Sequence, residues 1–166
     1  MLSDSCLERW CALFVFTGQE ENIKLRLKYL FGDQLKVLVP KRKIRERKDG
    51  KWNDVTRTLF PGYVLVKSDN HTDVYSYLRG IPGLIRLLSS DCGPQMIKPE
   101  EMEIISKLTH NSEIIDFSTV LIKDQKIVVI GGPLCSLEGQ IVSVNARKGR
   151  AKVILNFMGE QRGVEL

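Results

Sequence analysis

The hydrophobic pattern of this chain changes once, and that change limits what it can fold into. Up to about Leu108, strand-like apolar runs alternate with segments of helical spacing; beyond Thr119 every apolar segment is short and strand-like. Between them THNSEIIDFST (109–119) is polar and keeps neither period over its length. The reading is an N-terminal domain over 1–108, a linker over 109–122 and a second domain over 123–166. Ile114, Ile115 and Phe117 are available to fasten part of the linker to a domain. A chain of 166 residues is long enough for two small domains, each with a modest core.

In the first part, WCALFVF (10–16) has the aromatic and β-branched content of a buried strand. Thr17 and Glu20 then stand at capping-box spacing. Ile23, Leu27, Leu30 and Phe31 recur at helical spacing, so a helix is expected over 19–31, with Lys24 and Lys28 on its solvent side and Gly32 as its stop. LKVLVP (35–40) reads as a strand and runs into KRKIRERKDGKW (41–52), where Asp49-Gly50 signals a two-residue hairpin turn. That hairpin has too few apolar residues to be buried, so a basic arm projecting into solvent is expected. Further strands at Tyr63–Lys67 and Leu84–Leu88 alternate with helices over Asn70–Arg79 and Pro99–Lys107. The order β-α-β-β-α-β-α gives an α+β sandwich, helices packed on an antiparallel sheet. Beyond the linker, strands over 125–130, 139–145, 151–157 and 161–166 make a small SH3-like β-barrel. In it Gly139 is expected where a side chain would clash or φ is positive.

Several chemistries are excluded at this stage. Cys6, Cys11, Cys92 and Cys135 form no C-x-x-C pair, and neither His71 nor His110 stands at ligand spacing from them, so no metal or other cofactor is expected. No nucleophile–base set and no G-x-x-x-x-G-K-[ST] loop is present; GGPLCSLEG (131–139) lacks the lysine and the following helix of a phosphate loop, so an enzyme is not expected. No apolar run approaches the roughly 20 residues of a membrane span. MLSDSCLERW has no basic region followed by an apolar stretch, so the cytoplasm is the expected compartment. A monomer is the expected state. The net charge of +5 is compatible with nucleic acid without demanding it.

The stretch KIVVIGGPLCSLEGQIVSVNARKGRAKVIL (126–155) resembles the KOW motif of transcription and ribosomal proteins. WCALFVFTGQEENIK, LFGDQLKVLVPKRKI, FPGYVLV, LRGIPGLIRLL and KPEEMEIISKL follow one another as blocks similar to the N-terminal (NGN) domain of the NusG family. Together they cover almost the whole chain. Within that family the wording ALFVFTGQEE looks more like the specialised paralogue LoaP, an operon-targeted antiterminator associated with an RNA hairpin in leader transcripts.

The resemblance implies a transcription elongation factor that rides on the largest subunits of RNA polymerase. Its hydrophobic depression for the polymerase clamp helices maps onto Trp10, Phe60 and Tyr63, with Phe14 and Leu65 as neighbours that also suit a core. Phe60, just before Pro61-Gly62, is expected at the edge of an element and so in the interface. His71 and Thr72 lie where some members contact the opposite jaw of the cleft, although a helix N-cap explains them equally. The basic arm from Lys41 to Lys51, including Lys41, Arg42 and Lys43 and joined by Arg79 and Lys24, is a candidate track for upstream or non-template DNA or merely a solubilising hairpin. Arg147, Lys148, Arg150 and Lys152 crowd one turn of the barrel, where seven basic residues face four acidic ones over 123–166, and suit the phosphates of nascent RNA. The family's protein-recruiting edge maps onto Phe157 and Met158. Glu160 stands where a basic residue is usual, which weighs against Rho recruitment. A housekeeping factor that recruits Rho or a ribosomal protein, and a ribosome-associated RNA-binding module, are the alternatives.

Overall fold

Continuous apolar runs in 10–15 and 63–66, suited to strands covered on both faces, form the two central strands of a sheet. The computed structural model describes residues 9–68, 74–87, 89–90 and 93–166. In chain order, β1 (Trp10–Val15) leads into α1 (Glu20–Phe31), β2 (Leu35–Leu38), β3 (Lys41–Lys48), β4 (Lys51–Thr58) and β5 (Tyr63–Ser68). Next come α2 (Val74–Leu78), β6 (Leu84–Leu87), β7 (Ser89–Ser90), β8 (Gly93–Pro94) and α3 (Pro99–Thr109). The C-terminal part holds β9 (Ile114–Ile115), β10 (Thr119–Lys123), β11 (Lys126–Gly131), β12 (Ile141–Asn145), β13 (Arg150–Phe157) and β14 (Glu160–Glu165). By packing, the chain divides into Met1–Val39 with Phe60–Met102, and Pro40–Leu59 with Glu103–Leu166. The hairpin β3–β4, which the sequence places inside 1–108, therefore groups with the C-terminal residues.

In the first unit β2, β5, β1 and β6 form an antiparallel sheet in that order. Side chains alternate across a strand, so Cys11, Leu13 and Val15 share a face with Val64 and Val66. That face packs with Ile23 and Leu27 of α1 into one buried cluster with Leu35, Val37 and Val39. Residues 23 and 27 are one helical turn apart, which is why the stripe closes on the sheet. Glu20 and Glu21 in the first turn of α1 and Lys28 in the last suit the helix dipole.

Two expectations at this helix are corrected. Its N-cap is Gln19, with no side-chain cap bond, so the Thr17–Glu20 capping box does not form. Lys24, expected on the solvent side, is only 6 % exposed and does not belong to a DNA-facing surface.

In the second unit β3 and β4 pair across Asp49 (φ 52°) and Gly50 (φ 78°), the two left-handed residues of a type I′ hairpin turn. β9 adds to β3 in parallel, Lys41 beside Ile114 and Arg42 beside Ile115. The expected linker thus contains a strand, and its Ile115 is buried. β10 is a strand that the polar composition around Thr119 concealed; it pairs with β11, while β12, β13 and β14 form a three-stranded sheet. Leu134, Leu137, Ala151, Val153, Leu155, Phe157 and Val164 are among the buried residues of this β-domain.

The glycine that this domain requires is Gly132, not Gly139. A Cβ on Gly139 would meet nothing within 4 Å, and its φ is not positive. Gly132 has φ 92° and ψ −174°, a region almost confined to glycine. A Cβ there would stand 2.6 Å from the backbone of both Phe117 and Ser118. Gly132→Ala is expected to destabilise the domain by about 1–3 kcal/mol from backbone strain alone, before the overlap is relieved. Gly139→Ala is expected to leave stability nearly unchanged. Chemical denaturation of the two variants side by side checks both.

Candidate functional site

The face of the sheet turned away from α1 carries the aromatic residues. Register places Phe14 opposite Tyr63, Ala12 opposite Leu65 and Trp10 opposite Lys67. These pairs share one face because directly opposed residues in an antiparallel pair point the same way. The Phe14 and Tyr63 rings meet edge to face at 5.5 Å, and the Arg86 guanidinium lies 5.6 Å from the centre of the Phe14 ring. Trp10, Phe14 and Tyr63 are half-buried, so their rings combine apolar contact with access to solvent. Leu65 is fully buried, as its alternative core reading requires. Arg86 is absent from the sequence-based site, although the alternation in GLIRLL together with the position of Phe14 could have found it.

Phe60 contradicts its expectation. It is only 2 % exposed, so it does not present a ring at an edge. The Tyr63 N–H donates to the Phe60 carbonyl at 3.2 Å, closing a turn over Pro61 and Gly62. The buried Glu20 carboxylate fixes that turn from the start of α1. It accepts from the Gly62 N–H at 2.7 Å through one oxygen and from the Gly18 N–H at 2.8 Å through the other. The Val15 N–H donates to the Gly62 carbonyl at 2.8 Å. The motif therefore buries Phe60 and leaves Tyr63 on the aromatic face. His71 and Thr72 lie outside the described residues, and Arg79 is exposed beyond α2.

The basic residues of the hairpin differ along its length. Near its base, Arg42 donates to the Glu165 carbonyl, and Lys43 reaches the Asp116 carboxylate at 3.1 Å. Lys41, Arg42 and Lys43 are half-buried rather than projecting. Arg45 pairs with Asp54 at 3.2 Å and lies 5.3 Å over the Phe117 ring, while Arg57 forms a two-pronged pair with Glu46. Burial lowers the pKa of the Arg42 guanidinium. The hydrogen bond from Arg57 holds Glu46 below the usual carboxylate range. The backbone N–H of Phe117, then Lys43, does the same for Asp116. The solvent-projecting arm begins only beyond this base.

At the β12–β13 turn Arg147, Lys148 and Lys152 are exposed, and the Lys148 N–H donates to the Asn145 side chain. Arg150 is engaged instead, pairing with Glu165 at 2.9 Å and donating to the Arg45 carbonyl at 3.2 Å. It therefore joins the turn to β3. Arg150 is the principal cause of the lowered Glu165 pKa. Phe157, expected on a protein-recruiting edge, is fully buried, with the Arg162 guanidinium 5.6 Å from its ring centre. An inward-facing position at the end of β13 puts it in the core. Met158 (φ 54°) and Gly159 (φ 76°) form the turn beyond it, and Met158 is more accessible than Phe157.

No group of three or more His, Cys, Asp and Glu able to hold a metal ion is found among the described residues. Nor is any helix there long and apolar enough to cross a membrane. An antiparallel α/β sandwich, carrying an aromatic face and followed by a basic β-domain, defines an α+β binding protein of the NGN–KOW class. The family model described as "Transcription termination factor nusG" matches residues 8–106, more than half of the chain, and the chain belongs to the NusG family. It is similar to the transcription termination/antitermination protein NusG of Thermus thermophilus, 29 % identical with 95 % of this chain and 94 % of that protein covered. The NusG protein of Bacillus subtilis is also 29 % identical, over 96 % of this chain and 94 % of its own. A solved structure described as "Domain interaction in Thermotoga maritima NusG" superposes with a TM-score of 0.58, covering 96 % of this chain and 93 % of that one. At 23 % identity this last likeness supports the fold alone. The chain is a NusG-type transcription termination/antitermination factor.

Proposed function

We propose that this chain binds the clamp of RNA polymerase through the sheet face bearing Trp10, Phe14 and Tyr63, and suppresses pausing and termination without catalysing a reaction. The observation that carries the reading is the half-buried aromatic strip itself. Rings that keep part of their surface in water, with an arginine stacked at one end, make strong anchors for an apolar partner helix. The C-terminal unit supplies the second contact, with nascent RNA in a leader transcript, through Arg147, Lys148 and Lys152. That basic turn favours a LoaP-type, operon-specific antiterminator. Full-length similarity to general NusG proteins keeps a second reading in view, a housekeeping factor whose β-domain recruits Rho or a ribosomal protein.

Tyr63→Ala combined with Trp10→Ala is the test of the polymerase face, because both side chains are partly accessible. Phe60→Ala is a poor test, since emptying a buried phenylalanine site costs about 3–5 kcal/mol of stability whatever its partner. The expected result is loss of co-purification with RNA polymerase by a variant that still folds. Undiminished co-purification would reject this surface. Crosslinking and sequencing of bound nascent RNA separates the two roles: a few leaders for the specialised factor, a genome-wide profile for the housekeeping one.

A further inference from the structure

A cavity of about 380 Å³ lies within the C-terminal β-domain. That volume falls in the range of small-molecule sites, roughly 300–1,000 Å³. Val120, Leu121 and Ile122 of β10, with Leu134, Val144 and Ala151, make its lining mostly carbon. Leu121 and Ile122 are 52 % and 56 % exposed, so the cavity opens beside β10. The few polar groups of the lining are unevenly spent. The Asp116 carboxylate accepts from the Phe117 N–H at 2.9 Å and from Lys43 at 3.1 Å. The Ser118 hydroxyl oxygen accepts from the Leu134 N–H at 3.0 Å, and its own proton has no acceptor among the described residues. Arg150 also lines the cavity. A guanidinium carries five N–H donors. Here one goes to the Glu165 carboxylate and one to the Arg45 carbonyl, while the Nε atom is shielded from water and has no partner among the described residues.

The lining therefore has hydrogen-bond donors to spare inside an apolar wall, and that selects the occupant. A buried donor left without an acceptor is costly, and a hydrocarbon would leave it so. A cation would meet the positive charge of Arg150. A phosphate or other multiply charged anion would have to shed its hydration among valine, leucine and isoleucine side chains. An apolar body bearing an acceptor oxygen meets both demands, and the Arg150 side chain keeps 19 % of its surface accessible for that oxygen to approach. We propose that this cavity binds a small, uncharged, mainly apolar carbonyl compound, a ketone, ester or lactone, whose oxygen accepts from Arg150 while its body packs against β10 and β12. Ala146 and Gly149 of the lining bracket the exposed Arg147 and Lys148, so the occupant touches the turn of the proposed RNA contact. The cavity and its donors do not depend on that contact.

The test is an NMR titration of the full chain with a matched pair of probes, α-tetralone and tetralin, which differ by the ketone oxygen. Both are expected to shift the methyl resonances of Val120, Leu121, Ile122, Val144 and Ala151, and to do so saturably. The ketone is expected to bind about tenfold more tightly, the worth of one hydrogen bond to a charged donor. Only the ketone should move the Arg150 Nε–H resonance. Ala146→Leu puts a larger side chain into the lining from an exposed position, and is expected to weaken both probes roughly 5- to 100-fold. Equal affinities with an unmoved Nε–H resonance overturn the proposal, because the acceptor would then have no role. It is overturned equally if neither probe gives saturable shifts, or if the shifts spread to exposed apolar residues elsewhere, such as Leu25 and Tyr29 of α1. Should the same methyls move with protein concentration and no probe, a second copy fills the cavity and the proposal is wrong. None of these readouts involves RNA, so failure here leaves the proposed RNA contact standing.

Discussion

Phe157→Ala is expected to unfold the C-terminal β-domain while leaving the N-terminal sheet intact. The side chain is fully buried at the inward end of β13, among the largest in the structure with no exposed surface. Removing a buried phenylalanine ring costs about 3–5 kcal/mol, from lost transfer energy and the cavity left behind. A β-domain of this size rarely has more than about 3–5 kcal/mol in hand, so the loss consumes its whole stability. The measurement is backbone amide NMR. Resonances of β12, β13 and β14 should collapse towards unfolded shifts while those of β1 and β5 keep their dispersion. A variant that stays folded but fails only to bind a protein partner would restore Phe157 to the recruiting edge and contradict its place in the core. Met158, more accessible in the adjoining turn, is the residue to vary for partner binding.

Glu20→Ala is expected to destabilise the N-terminal unit and to disorder the turn before Tyr63. The carboxylate is 4 % exposed, and each of its oxygens accepts from a different backbone N–H, those of Gly18 and Gly62. Hydrogen bonds to an ionised group contribute more than neutral ones, and the Gly62 N–H would be left buried without this acceptor. The expected loss is about 2–4 kcal/mol. Glu20→Gln does not rescue it, because both partners are donors and an amide supplies only one acceptor oxygen. The two variants should therefore show similarly lowered melting temperatures, and amide exchange at Gly62 and Tyr63 should accelerate in both. Full rescue by glutamine would show that charge and the second acceptor do not matter.

The same residue marks a boundary of what sequence could reveal. Thr17 and Glu20 have capping-box spacing, which correctly drew attention to Glu20 at a helix start. The local pattern could not disclose that its second partner is Gly62, distant in the chain and brought close only by the pairing of β1 with β5. Phe60 and Phe157 were misplaced for a related reason. An aromatic residue beside a turn has the same local signature whether its ring points inward or outward. Strand register and the path of the turn decide the direction. The hairpin shows the charge version of this limit: all its cations look alike in sequence, while Glu46, Asp54, Asp116 and Glu165 divide them into held and exposed sets.

The sequence by itself determined the helices, most of the strands, the Asp49-Gly50 turn and the family, because periodicity, turn chemistry and motif order are local properties of neighbouring residues. β9 and β10 escaped it, being short and set in a polar context, and they are strands because β3 and β11 offer them ladders. Tertiary structure alone decided that Trp10, Phe14 and Tyr63 share a face with Arg86, that Gly132 rather than Gly139 is indispensable, and that Lys24 is buried. Each of these depends on which distant segments meet, and a linear pattern carries no direct record of that distance.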